Sequence, residues 1–333
     1  MNACEEITHP KANTLEILAK NNDTPVVIRN AVSDWPSVIA AKQSTESIQA
    51  LLLAYSADHP VLTYQTPPSE KGRIFYQKDF EGMNFTREMH SLVEVFKRLN
   101  NIADARSGDG IYMGSTNLER HFPEFKQSNS MNFGIPPSGV SANLWLGNQT
   151  QVAAHFDYPN NFACCVAGER TFRLFPPDQL SNLYVGPLSP TPGGPAVSLV
   201  DGKQPNYQAF PKYQNALRHS YTTTLAPGDV LFIPSMWWHE VNALSSFNVL
   251  VNYWWKPTPN HIPSPQVALD AALLTLRDLP KAQKNAWKTL FEYYIFSDES
   301  FDHIPDKLKG ALGGIDEKQA MQLRTKLLNA LNR

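Results

Sequence analysis

His155 and Asp157 stand two residues apart in VAAHFDY, and His239 comes much later, in MWWHEV. Alternate residues of a strand project from one face, so the first two side chains can reach a single cation together. Two ligands make a weak site. His239 as a third would complete two imidazoles and a carboxylate on one face of an octahedron. That donor set suits Fe(II) and leaves the remaining positions open to small ligands. The bland alternatives are common. A lone His-x-Asp is usually a solvated or hydrogen-bonded pair, and a histidine beside two tryptophans is usually packed in a core. The rest of the chain must decide between them.

Several further residues bear on the choice. Arg170 opens a strand-like run after the turn AGER, and a guanidinium can hold a carboxylate through two parallel hydrogen bonds. An isolated turn arginine is otherwise exposed. Tyr112, Asn161 and Asn252 lie on or beside strand-like runs and offer neutral donors, although strand tyrosines also pack and asparagines also cap. Phe156, Tyr158, Trp237 and Trp254 are candidate walls of a substrate pocket, with ordinary β-core packing the rival role for each.

These side chains need elements to position them. The middle of the chain is β-rich. ANLWLGN, VAAHFDY, NFACCVA, TFRLFPP, SYTTTLAPGDVLFIP, WWHEVNAL and NVLVNYWW are short runs of β-branched and aromatic residues, most bounded by turns, which predicts a sandwich or barrel. Cys164 and Cys165 are adjacent, so on a strand they face opposite sides. The first third is mixed. It reads as a strand within 24–32, a helix over 44–57 capped by Ser44 or Thr45, a second amphipathic helix over 85–100 and a strand over 109–116. From Leu183 to Ser220 there is no clear period and much Pro and Gly, so the stretch 186–215 is a candidate lid. From Pro265 onward the spacing turns helical. The last helix carries Met321, Leu323, Leu327, Leu328 and Leu331 along one face, which must be buried somewhere.

Composition narrows the classes. In 333 residues, 42% are hydrophobic and 18% charged, enough for a sizeable core in one or two domains. A formal net charge of -2 supplies no basic field and argues against nucleic acid as a partner. Three cysteines are too few for a disulfide framework, which predicts reduced thiols and a cytoplasmic protein. The N-terminal stretch MNACEEITHPK lacks a signal-peptide pattern, and no apolar run reaches the length needed to span a membrane.

Two segments carry a resemblance to a known family: HFDYPNNFACCVAGERTFRLFPPDQLSNLY and PGDVLFIPSMWWHEVNAL. They are similar, in order and spacing, to the JmjC/cupin-like Fe(II)- and 2-oxoglutarate-dependent oxygenases, asparaginyl hydroxylases in particular. The similarity runs from TPVVIRNAVSDWP to LVNYWW. The resemblance implies a mainly β fold with flanking helices. Its core would be a double-stranded β-helix (jelly-roll) at 126–257, wrapped by a mixed α/β part at 1–125 and followed by helices at 258–333 that form a homodimer. It implies Fe(II) on His155, Asp157 and His239, and 2-oxoglutarate held by Arg170, Tyr112, Asn161 and Asn252. Arg170 stands where the family usually has a lysine, and Val152 where relatives have a hydroxyl donor. The implied reaction is hydroxylation of a C–H bond of a protein, peptide or small molecule by O2, with succinate and CO2 as co-products. The rival classes are a non-oxygenase metal-binding cupin, either an isomerase or a ligand-binding module, and an inert interaction protein.

Overall fold

A computed structural model describes residues 2–332 except 12, 106–107 and 299. Among the described residues, fifteen strands carry the fold. They are β1 (Asn2–Ala3), β2 (Glu5–Ile7), β3 (Val26–Ile28), β4 (Val61–Thr66) and β5 (Arg73–Ile74), then β6 (Thr86–His90), β7 (Gly110–Asn117), β8 (Val140–Gly147), β9 (Gln151–Phe156) and β10 (Asn160–Ala167). The last five are β11 (Arg170–Phe175), β12 (Tyr221–Leu225), β13 (Val230–Ile233), β14 (Trp238–Ala243) and β15 (Asn248–Trp255). They form a six-stranded sheet in the order β1-β12-β11-β14-β9-β5 and a nine-stranded sheet in the order β2-β3-β13-β10-β15-β8-β7-β4-β6. This is the expected jelly-roll with flanking helices.

Alternation sorts the side chains into layers. On β10, Ala163 and Cys165 join a cluster supplied by both sheets, with Phe172 and Leu174 of β11 and Leu250 of β15. Phe162, Cys164 and Val166 face the other way, into a larger cluster that includes Trp35, Leu52 and Phe96 from the N-terminal part. The two adjacent cysteines therefore serve different cores. The turn between β10 and β11 needs its glycine. Gly168 has φ +68°, and a Cβ there would sit 2.4 Å from the Phe247 carbonyl oxygen.

Helix Thr45–Tyr55 is capped by Ser44, whose hydroxyl accepts from Ser47 N–H. The helix expected over 85–100 is shorter. Thr86–His90 pair antiparallel with Val61–Gln65 as an edge strand, and the helix runs from Leu92 to Ala105. Ser91 marks the switch by accepting from Glu94 N–H at 3.2 Å. Helix Pro36–Gln43 was not anticipated; proline at its first turn is preset for a helix start.

The segment 183–220 is not wholly irregular. It ends in helix Tyr213–His219, whose Tyr213 and Ala216 pack with Phe175 and Trp238 on the outer face of the smaller sheet. Before that helix the segment is tied down at several points. Val185 and Ser198 form an antiparallel bridge, Ser198 N–H donates to the Ala154 carbonyl at 2.7 Å, and Arg173 Nη1 donates to the Gly202 carbonyl at 2.9 Å.

The chain divides into two compact units, Met1–Pro257 and Thr258–Arg333. The second unit is helical, with Gln266–Leu276, Lys281–Phe291 and Glu317–Leu331 as its longer helices. A capping box of Asp316 and Gln319 starts the last of these. Its large apolar residues remain exposed, Leu274, Phe296, Met321, Leu327, Leu328 and Leu331 among them. Among the described residues, no helix is long and apolar enough to cross a membrane.

Candidate metal and 2-oxoacid site

Strand β9 delivers His155 to the interior and Phe156 to the opposite face, where it meets Trp238 edge-on at 5.0 Å. Asp157 follows at the strand end and returns to the face of His155. Strand β14 runs antiparallel beside β9 with His239 directly opposite His155, and the two rings lie 4.3 Å apart. The ligand atoms of His155, Asp157 and His239 all fall within 4.8 Å of one another. His239 Nε2 is 3.5 Å from Asp157 Oδ2.

The ring orientations suit a metal. His155 Nδ1 lies 2.9 Å from the Ala153 carbonyl oxygen, and His239 Nδ1 lies 3.1 Å from that of Trp237. A carbonyl can only accept, so both Nδ1 atoms carry hydrogen and both Nε2 lone pairs are free for a cation. Burial, reinforced by the nearby His239, pulls the His155 pKa down to about 4, so that imidazole is neutral at physiological pH. Burial pushes the Asp157 carboxyl upward, but the His239 and His155 imidazoles beside it together outweigh that and leave the group more acidic than usual. The donor set and tautomers fit Fe(II).

Arg170 is the second pole of the site. It opens β11 between Leu225 and Ala243, only 4% exposed, and lines the same cavity as the triad. Its Nη2 reaches the Trp145 carbonyl at 3.4 Å, and its Nε has no partner. Among the described residues no carboxylate pairs with it. A buried guanidinium in that condition is costly until an anion arrives. On the strand β11, Arg170 lies four residues before Leu174, the partner of His239, a separation of roughly 13 Å by strand rise. A short dicarboxylate reaching from the triad toward the guanidinium fits that spacing.

The other expected residues divide. Tyr112, Asn161, Asn252 and Trp254 line the cavity. Tyr112 is held protonated by burial, which raises its pKa. Asn161 and Trp254 are direct register partners, and Asn161 Oδ1 and Trp254 Nε1 are both buried without a partner. Val152 also lines the cavity and supplies no hydroxyl, but Thr150, two residues earlier, lines it too. Trp237, Tyr158 and Phe156 are not among the lining residues. The Trp237 indole N–H is spent on the Asp23 carbonyl and its ring packs on Tyr221. Tyr158 sits in the turn after β9, its carbonyl bound by the Ser235 hydroxyl. Phe156 is turned outward by alternation. Sequence reading missed Tyr64 and Trp145, because an aromatic on a strand gives no sign of which cavity it faces. Pro192, Gly193 and Pro195 from the covering segment complete the wall.

Residues 13–261 match the model of the cupin-like domain, and the chain belongs to that family. The chain is also similar to several curated proteins. HSPB1-associated protein 1 of Mus musculus is 32% identical over 145 residues, covering 43% of this chain and 29% of the relative. Lysine-specific demethylase 8 of Xenopus tropicalis is 28% identical over 243 residues, covering 69% of this chain and 48% of the relative. Lysine-specific demethylase JMJ31 of Arabidopsis thaliana is 31% identical over 130 residues, covering 37% of this chain and 23% of the relative. The chain spans less than half the length of each of these relatives.

Proposed function

We propose that this protein is an Fe(II)- and 2-oxoglutarate-dependent oxygenase that hydroxylates a C–H bond of a protein, peptide or small-molecule substrate. The observation that carries this reading is Arg170, a buried cation that pairs with no carboxylate among the described residues, in the wall of the cavity that also holds the triad. A metal-binding cupin of another kind needs no such cation.

His155, Asp157 and His239 would hold the iron, and Arg170 with Tyr112 would hold the distal carboxylate of the co-substrate. Asn161 and Asn252 would serve its metal-proximal end. Loaded with iron and 2-oxoglutarate, the site supplies oxidation by O2, inserting one oxygen atom into the substrate C–H bond and releasing succinate and CO2. The chain's own part is binding, orientation and exclusion of water. The imidazoles are locked by backbone carbonyls, the Tyr112 hydroxyl is kept as a donor, and aromatic side chains with Pro192 and Gly193 wall the pocket. Hydroxylation at a methyl carbon bound to nitrogen is also the entry to demethylation, the activity printed in the names of two relatives. The same site chemistry covers both outcomes.

We also read the C-terminal unit as a dimerisation element. Its exposed apolar helix faces and the family resemblance support a homodimer.

The test is anaerobic titration of the Fe(II)-loaded protein with 2-oxoglutarate. A visible metal-to-ligand charge-transfer band, lost in His155→Ala and weakened in Arg170→Ala, supports the reading. A metal-replete wild type that shows no band anaerobically and forms no succinate once air is admitted overturns it in favour of an isomerase or binding cupin.

A further inference from the structure

Trp145 touches four residues of the cavity wall. It lies on β8 opposite Leu250 of β15. Its indole N–H donates to Asn252 Oδ1 at 2.8 Å. Its ring is tilted over Tyr112 at 6.1 Å and meets Trp254 edge-on at 5.9 Å. Its backbone carbonyl accepts from Arg170 Nη2 at 3.4 Å.

The bond to Asn252 decides the polarity of that wall. A carboxamide turned by half a revolution exchanges its oxygen for its nitrogen, so an unconstrained asparagine offers a ligand either an acceptor or two donors. An indole N–H can only donate. It therefore claims the oxygen, and the NH2 group remains for the cavity. Asn252 is 2% exposed and lines that cavity.

We propose that Trp145 is a positioning residue that locks the Asn252 amide with its nitrogen toward the cavity, so that Arg170, Tyr112 and Asn252 together present hydrogens and the pocket selects a fully ionised dicarboxylate. The inference rests on the oxygenase reading. Were Asn252 reversed, its carbonyl oxygen would face the anion and repel it.

The experiment is a double-mutant cycle on the full-length protein loaded with Mn(II), a redox-inert stand-in for iron, with 2-oxoglutarate binding read by calorimetry. Trp145→Phe keeps the ring and removes the N–H. It should weaken 2-oxoglutarate about 10-fold, the loss of a hydrogen bond to a charged ligand, while Mn(II) affinity and Tm stay put. Asn252→Ala should cost a similar factor, and the double variant no more than Asn252→Ala alone. Additive losses, or a Trp145→Phe protein that binds like wild type, overturn the inference. Asn252→Asp gives a check independent of Trp145→Phe folding. It still accepts from the indole but turns a carboxylate oxygen to the cavity, and should lose binding by on the order of 100-fold or more. Retained binding in Asn252→Asp overturns the proposal. Failure of wild type to bind 2-oxoglutarate would instead overturn the oxygenase reading itself.

Discussion

His155 and His239 are direct partners in the β9–β14 ladder, far apart in sequence and 4.3 Å apart between ring centroids. The pairing register is therefore what assembles the candidate metal ligands. Each imidazole is aimed by a hydrogen bond to a backbone carbonyl two residues before it. Replacing either histidine by alanine should weaken Mn(II) by more than roughly 100-fold, beyond the loss seen when only an outer hydrogen-bonding partner is removed. Titration followed by electron paramagnetic resonance measures it, and a change below tenfold would remove that residue from the ligand set.

Arg170 makes a prediction of opposite signs for stability and binding. Its guanidinium is buried, its Nε has no partner, and burial lowers its pKa. Arg170→Met removes an uncompensated charge and keeps much of the side-chain volume. It should stabilise the ligand-free protein by about 1–3 kcal/mol and abolish 2-oxoglutarate binding. Arg170→Lys keeps the charge and should bind within about tenfold of wild type, losing only the second arm of the fork. Thermal melts and calorimetry would show both. A destabilised Arg170→Met protein would mean that the arginine serves packing.

Tyr112 supplies the pH dependence. Burial raises its pKa above the usual tyrosine value near 10, so the phenol remains a donor where an exposed one begins to ionise. A raised folded pKa contributes stability that is complete below the unfolded value and lost as pH climbs through the folded one. The contribution of Tyr112 to 2-oxoglutarate binding should therefore be the same at pH 7.5 and 10.5, where an ordinary phenol is mostly ionised. Tyr112→Phe should cost about 5- to 10-fold at both. A loss confined to pH 7.5 would show that the phenol ionises in the normal range.

Gly168 tests the turn that launches Arg170. A side chain there meets both a φ of +68° and the Phe247 carbonyl at 2.4 Å. Gly168→Ala should destabilise the protein by about 2–3 kcal/mol in urea unfolding. An unchanged midpoint would mean that the turn can rearrange.

The C-terminal unit gives a prediction about assembly. Sedimentation at micromolar concentration should report a dimer, and Leu327→Glu with Leu331→Glu should yield a folded monomer. A wild-type monomer whose profile does not change when residues 315–333 are removed would eliminate the homodimer.

Local pattern was enough for much of this. The alternation in VAAHFDY put His155 and Asp157 on one side and Phe156 on the other, because a period of two is a local property of extended backbone. The seven central β segments, a cap at Ser44 or Thr45 and the opposed cysteines were readable for the same reason. Where local pattern failed, a partner from elsewhere won. Thr86–His90 has helical spacing with its neighbours, yet becomes a strand because β4 offers a ladder. Trp237, a candidate pocket wall, is not among the lining residues, because its indole N–H finds the Asp23 carbonyl.

The sequence by itself determined the ligand types, the side of each strand they occupy and the family to which the chain belongs, since these follow from residue identity and short-range period. Only the tertiary structure decided that His239 lands opposite His155, that Arg170 is buried in the cavity wall, and that the Trp145 indole bonds to Asn252. Those facts depend on the register between strands distant in the chain. Register is set by the sum of ladder hydrogen bonds and core packing across both sheets, which no single segment encodes.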